Sequence, residues 1–210
     1  MISLLKKVPS ATLKLAGAVL GGVGIVTYGI KEITKEERKI AVLGLRDSGK
    51  TTYQNYLRRK NTVERTPAEG TYHEEVATFN YKSKKIYIEP GLDVSGSDES
   101  IKNLYAEEIG KSNLVFYLFN AEKFITSKDY KEEAKVLLYY VLKKMKKKVK
   151  LIILATHVDV LEMDRADLRE LLYSEISDVP GYTKKIKGPI PINLLSYSEM
   201  NKTREFFYKL

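Results

Sequence analysis

The chain has 210 residues, 43% of them hydrophobic, with 36 Lys and Arg against 27 Asp and Glu for a net charge of +9. That apolar share sustains a folded core and excludes wholesale disorder, and the length accommodates one domain of ~170 residues plus an appendage. No cysteine is present, which excludes disulfide frameworks and thiolate metal sites and accords with a reducing compartment; the positive balance points to nucleic acid or to an anionic membrane surface.

Residues 11–30 read ATLKLAGAVLGGVGIVTYGI, a twenty-residue apolar stretch whose single charge is Lys14. As a helix it rises ~30 Å, about the thickness of a bilayer's hydrocarbon core. Gly17 and Gly21 have the Gly-x-x-x-Gly spacing that lets helices approach closely in lipid. In a helix exposed to water each such glycine costs roughly 1 kcal/mol. A spanning or inserted membrane anchor over residues 1–30 is the favoured reading. A cleaved secretory signal and a helix buried against a partner are the alternatives. Lysines on both sides leave the positive-inside comparison undecided.

A charged linker, residues 31–38, leads into one domain over residues 39–210. Residues 39–43 form an apolar run expected as a buried strand, and residues 51–60 a helix. Between them stands GLRDSGKTT, residues 44–52, which contains Gly-x-x-x-x-Gly-Lys-Thr. Gly44 and Gly49 allow backbone angles and a close approach that a Cβ would obstruct. The successive amides of Arg46, Asp47, Ser48, Gly49, Lys50, Thr51 and Thr52 then form an anion nest at a helix N-terminus. Lys50 places a charge on the β- and γ-phosphates, and the Thr51 hydroxyl is positioned to ligate Mg²⁺. This is a phosphate-binding loop, and a domain that uses nucleotide belongs on the cytoplasmic side of a membrane.

Residues 75–81 and 85–89 look like a strand pair joined by Lys82-Ser83-Lys84. Residues 114–120 and 149–156 are apolar runs of the kind expected for central parallel strands. Residues 128–147 between them read as a long helix with Ala134, Leu137, Leu138, Val141 and Leu142 on one face. A last strand over residues 189–195 precedes a terminal helix. Strands alternating with helices imply an α/β, doubly wound, mostly parallel sheet of the Rossmann type.

Downstream of the second central run comes Thr156-His157-Val158-Asp159. GTP-binding proteins carry Asn/Thr-Lys-x-Asp there, and the aspartate accepts two hydrogen bonds that guanine supplies and adenine cannot. Asp159 keeps the carboxylate, Thr156 is an accepted variant of the first position, and His157 replaces the lysine whose stem covers the base.

These motifs resemble those of the ADP-ribosylation-factor-like small GTPases. GLRDSGKTT resembles their GLDxAGKTT, and VERTPAEG (residues 63–70) resembles a first switch ending in Pro-Thr-x-Gly. DVSGSD (residues 93–98) resembles DVGGQD at the second switch. ATHVDV resembles ANKxDL, and Ser196, in Asn193-Leu194-Leu195-Ser196, falls at the base-contacting loop. The layout of a GTPase behind an N-terminal apolar helix is also similar to that of the β subunit of the signal recognition particle receptor. The resemblance implies GTP/GDP and Mg²⁺ as ligands, Thr51 and Asp93 at the metal, Gly96 on the γ-phosphate, and a protein partner.

The departures bear on mechanism. The metal-binding threonine of the first switch falls on Ala68, which has no oxygen to offer; Thr66 and Thr71 are the available substitutes. Ser97 occupies the place of the glutamine that orients water. An alternative register puts Ile88-Glu89-Pro90-Gly91 on the second-switch motif but sets isoleucine where an acid is needed, so the Asp93 register is preferred. Arg46 either reaches the γ-phosphate in cis or is a solvated loop residue. Ala68, Ser97 and Arg46 together predict slow or absent unaided hydrolysis, with Ser97 and Arg46 the candidate catalytic groups.

The run from Lys143 to Lys150 holds six lysines in eight positions. It lacks the arginines and interleaved aromatics of nucleic-acid sites, so no nucleic-acid partner is expected. A solvated helix end or contact with anionic lipid remains. His73 and His157, the two histidines, lie too far apart in sequence to suggest a metal site.

Overall fold

The computed structural model describes residues 35–59, 71–73, 76–81, 84–88, 91–93 and 100–208. The expected membrane helix over residues 11–30, together with Ala68, Gly96 and Ser97, lies outside them. Among the described residues no helix is long and apolar enough to cross a membrane.

Four parallel strands carry the domain: β2 (Ile40–Gly44), β7 (Leu114–Asn120), β8 (Lys150–Thr156) and β9 (Lys187–Pro191), hydrogen-bonded in the order β2-β7-β8-β9. The register Ile40↔Leu114↔Lys150 keeps odd-numbered residues of the three central strands on one face and even-numbered residues on the other. Ala41, Leu43, Val115, Tyr117, Phe119, Ile153 and Ala155 therefore enter one core, and Val42, Leu114, Phe116, Leu118, Ile152 and Leu154 a second. Both faces are buried, which is why β7 reads as an unbroken apolar run.

Helices cover each face. The odd face meets α2 (Ser100–Lys111), α3 (Ala121–Thr126), α4 (Lys128–Lys144) and α5 (Arg165–Ile176) through Tyr105, Phe124, Leu138 and Leu172. The even face meets α1 (Lys50–Leu57), α6 (Tyr197–Lys202) and α7 (Glu205–Tyr208) through Tyr53, Met200 and Phe207. This is the doubly wound α/β arrangement that the strand–helix alternation implies. The helix expected over residues 128–147 ends at Lys144, where Met145 turns to extended backbone.

Part of the expected linker is a strand. β1 (Lys35–Arg38) pairs in parallel with β5 (Lys84–Ile88), and only Lys39 separates it from β2. Lys-Glu-Glu-Arg has no apolar residue to announce a strand, and its backbone pairs with β5. The expected strand pair is present as β4 (Ala77–Tyr81), antiparallel to β5. It continues as β3 (Thr71–His73) against β6 (Gly91–Asp93), with the pairing frame slipped by one residue between the two ladders. β6 also lies against β2 and α1, so Asp93 arrives next to the strand that feeds the phosphate loop. Ile88, by contrast, is fully buried in the even-face core.

Phe116 lies 5.1 Å from Tyr53 and 5.4 Å from Phe207, ring to ring, at the centre of the even-face core. Phe116→Ala is expected to cost about 3–5 kcal/mol in denaturant unfolding, whereas Val136→Ala, at a position 62% exposed on α4, is expected to stay within about 0.5 kcal/mol.

Candidate functional site

The C-terminal ends of β2, β7, β8 and β9 lie along one edge of the sheet, and the loops leaving them build the site. This is where ligands bind in open α/β sheets. At the end of β2 the chain turns at Gly44 (φ 152), passes Asp47 in the left-handed region (φ 58), and enters α1 through Gly49 (φ 80). A Cβ on Gly44 would run into the carbonyl of Leu118 on β7, and one on Gly49 into the side chain of Leu194. Gly49 contributes no side-chain cap and the first turn of α1 has no acid, the composition of a helix N-terminus that receives an anion.

Lys50 is 6% exposed, and its Nζ donates to the Leu45 carbonyl at 2.7 Å, curling back over the loop. Ser48 is fully buried, and its Oγ has no hydrogen-bond partner among the described residues. A buried ammonium and an orphaned hydroxyl within one glycine-bounded loop fit a phosphate chain, whose oxygens accept from both. Thr51 and Thr52 are half-buried on the first turn of α1, and Arg46 is exposed at the rim of the loop.

A buried network ties this loop to the base motif. Thr156, the last residue of β8, is fully buried, with Oγ1 at 3.0 Å from both the Ser48 and Phe119 carbonyls and 2.9 Å from Nδ1 of His157. One hydroxyl proton serves the carbonyls, so the His157 Nδ1–H donates into the same oxygen. Thr156 is thus a strut under the phosphate loop. His157 follows in the left-handed region (φ 54), half-buried, and caps the short 3-10 turn Val158–Val160 that carries Asp159 outward. Burial holds the imidazole below its usual range; the Asp159 carboxylate partly offsets this.

The third wall is the turn after β9. Asn193 Oδ1 accepts the Leu195 amide at 2.8 Å, and Glu199 Oε2 accepts the Asn193 amide at 2.8 Å. Ser196 caps α6, accepting the Glu199 amide at 3.3 Å. The turn is ordered internally, and Leu194 presses on Gly49.

Two contributors escape sequence inspection. The hydroxyl of Tyr105 on α2 donates to the Gly44 carbonyl at 2.7 Å and accepts the Gly44 amide at 3.3 Å, fully buried. Lys123, on the first turn of α3, places Nζ 3.0 Å from Oδ2 of Asp47 in the phosphate loop. These pairs span 61 and 76 residues, and no local spacing encodes them. The periodicity of Ile101, Leu104, Tyr105 and Ile109 is the one sequence signal for α2.

A family model for the ADP-ribosylation factor family matches residues 26–188. The chain belongs to the ADP-ribosylation factor family. ADP-ribosylation factor proteins bind GTP and GDP, typically with Mg²⁺, and generally act on protein effectors, so this is a P-loop, GTP-binding small GTPase domain. In structure it is similar to the Arl6 (BBS3) small GTPase of Trypanosoma brucei, solved with a bound nucleotide analogue, GppNp. The TM-score is 0.54 at 16% identity, covering 84% of this chain and 96% of that one. A sequence comparison with the curated proteins finds no match.

Tyr105→Phe leaves the amide and carbonyl of Gly44 without their buried partner. The expected loss is about 1–3 kcal/mol, or roughly 2–4 °C in Tm per kcal/mol for a domain of this size. His157 titrates below its ordinary value of 6.5 in the folded chain. The unfolded chain therefore binds more protons below that pH, and the imidazole's contribution to stability, full above it, is lost as the pH falls. His157→Gln removes this component, so the stability of the parent relative to the variant is expected to decline between about pH 7.5 and 5.5 in parallel urea titrations.

Proposed function

We propose that the chain is a membrane-anchored GTP-binding protein that recruits a protein partner in a nucleotide-dependent way, with slow or partner-dependent hydrolysis. The observation that carries this reading is the Thr156 strut, which ties the phosphate loop to the guanine-type motif. The amides from Gly44 to Thr52 and the Lys50 ammonium hold the phosphates, and Asp159 selects guanine by accepting from its two ring-edge donors. The Thr51 hydroxyl and the Asp93 carboxylate would hold Mg²⁺, which would supply charge neutralisation to the phosphates. Thr71, a candidate substitute for Ala68, is the backbone partner of Asp93 across the β3–β6 ribbon, which favours it over Thr66. Gly96 is assigned to the γ-phosphate by its position in the DVSG motif. Ser97 cannot orient water as a glutamine does, and Arg46 at the loop rim is free to swing toward the γ-phosphate or to meet a partner. Hydrolysis is accordingly weak until a partner contributes the missing group.

The membrane assignment rests on residues 11–30 and on the lysine run. Lys143, Lys144, Lys146, Lys147, Lys148 and Lys150 are all exposed. They lie where α4 ends and β8 begins, at the sheet edge opposite the nucleotide site. Seven residues of β8 separate the two edges by ~20 Å. The chain also enters β1 and β2 from that far edge. An anionic bilayer there gains ~1 kcal/mol per lysine and leaves the nucleotide loops turned toward the cytoplasm.

The test is the nucleotide retained on purification and the fate of its γ-phosphate with and without anionic vesicles. Guanine nucleotide with slow turnover is expected, and ATP selectively retained would overturn the guanine assignment. Lys50→Ala is expected to lower GTP affinity roughly tenfold to a hundredfold, the worth of one or two charge-assisted hydrogen bonds. Asp159→Asn, which faces guanine donors with another donor, is expected to shift preference toward xanthine nucleotides. GTP persisting for hours even with a partner bound would replace the hydrolytic reading with that of a constitutively GTP-bound subunit. Full solubility of the intact chain after a carbonate wash would remove the anchor.

A further inference from the structure

The base motif of this chain has no cation. His157 stands where the motif carries lysine, and in the folded protein it is half-buried with its Nδ1–H committed to Thr156. A nucleotide held beside it would lack the positive charge and the long covering stem that the motif otherwise provides at its nucleoside end.

Another lysine reaches the same place from a different element. β7 lies between β2 and β8 in the sheet, so the helix that leaves its C-terminal end, α3, emerges between the phosphate loop and the base motif. α3 packs on β8 and on the 3-10 turn that carries Asp159. Its start is fixed by Asn120, 4% exposed, whose Oδ1 accepts the Lys123 amide at 3.0 Å. The Asn120 amide in turn donates to the hydroxyl of Tyr130 at 2.9 Å. The backbone of Lys123 is therefore held while its side chain extends across the site to Asp47, and its charge is felt at His157.

We propose that Lys123 supplies the cation at the nucleoside end of the guanine-nucleotide pocket in place of the lysine missing at His157, with Asp47 as the arm that aims it. This rests on the GTP-binding reading above. The ion pair itself, 41% and 54% exposed at its two ends, adds little to stability on its own, so fold maintenance does not account for a lysine spanning from α3 to the loop. Lys123, anchored on Asp47 by one contact, presents the remaining face of its ammonium, with three donors on a four-carbon stem, to the nucleotide.

The experiment measures dissociation of a fluorescent GDP from the full chain, the parent against Lys123→Ala, Lys123→Arg, Asp47→Ala, and Lys123→Ala combined with His157→Lys. Lys123→Ala is expected to weaken GDP about tenfold, the equivalent of one charge-assisted contact, with an unchanged melting temperature in the absence of nucleotide. Lys123→Arg is expected to keep most of the affinity. The double variant, which returns the cation to the motif position, is expected to recover it. Asp47→Ala is expected to lose less than Lys123→Ala, because it removes only the aim. Parent-like affinity in Lys123→Ala overturns the inference while leaving GTP binding intact. Equal losses in Lys123→Ala and Asp47→Ala, without recovery in the double variant, reduce Lys123 to a strut for the loop and overturn it too. A parent chain that binds no guanine nucleotide overturns the GTP-binding reading and this inference with it.

Discussion

The close approach of Gly44 to the carbonyl of Leu118 sets where everything at the site stands. Only a residue without a Cβ lets β2 run alongside β7 to this point and then turn. The Tyr105 hydroxyl holds the turn by serving both polar groups of Gly44 from the opposite layer. The phosphate loop is thus gripped from the sheet side by Leu118 and from the helical layer by Tyr105. From below it is held by Thr156, and at its exit by Leu194 against Gly49. A loop whose amides must all point inward has few conformations to lose on binding anion when four separate elements already constrain it.

The same logic explains why the site collects at one edge. Parallel strands deliver every C-terminal end to the same side, and each loop there plays a separate part. The turn after β2 meets phosphate, α3 carries a lysine, the segment after β8 carries Asp159, and the turn after β9 closes against Gly49. Several side chains poorly suited to their neighbourhood belong to this edge. Buried Lys50, unsatisfied Ser48 Oγ and the left-handed Asp47 and His157 are costs within the isolated protein. A nucleotide's phosphates relieve the first two directly.

Much of this is legible in the order of residues, and the rest is not, for identifiable reasons. The phosphate loop declares itself because every position in it has a local steric or electrostatic job. β7 and β8 declare themselves because burial on both faces leaves no polar residue inside the run. β1 reads as linker because Lys-Glu-Glu-Arg is paired through its backbone and its side chains give no apolar signal. β3 and β6 are hidden by Pro90-Gly91, which reads as the end of a strand although pairing resumes at Gly91 itself. Tyr105 and Lys123 are invisible in a stronger sense, since each acts on a loop residue more than sixty positions away, and only the fold brings the partners together.

The even–odd partition of the central strands has a thermodynamic corollary. Two separate apolar layers share nothing but a sheet one backbone thick, so damage on one side has no direct path into the packing of the other. Lesions at Leu138 and at Phe207 should add their free energies without interaction.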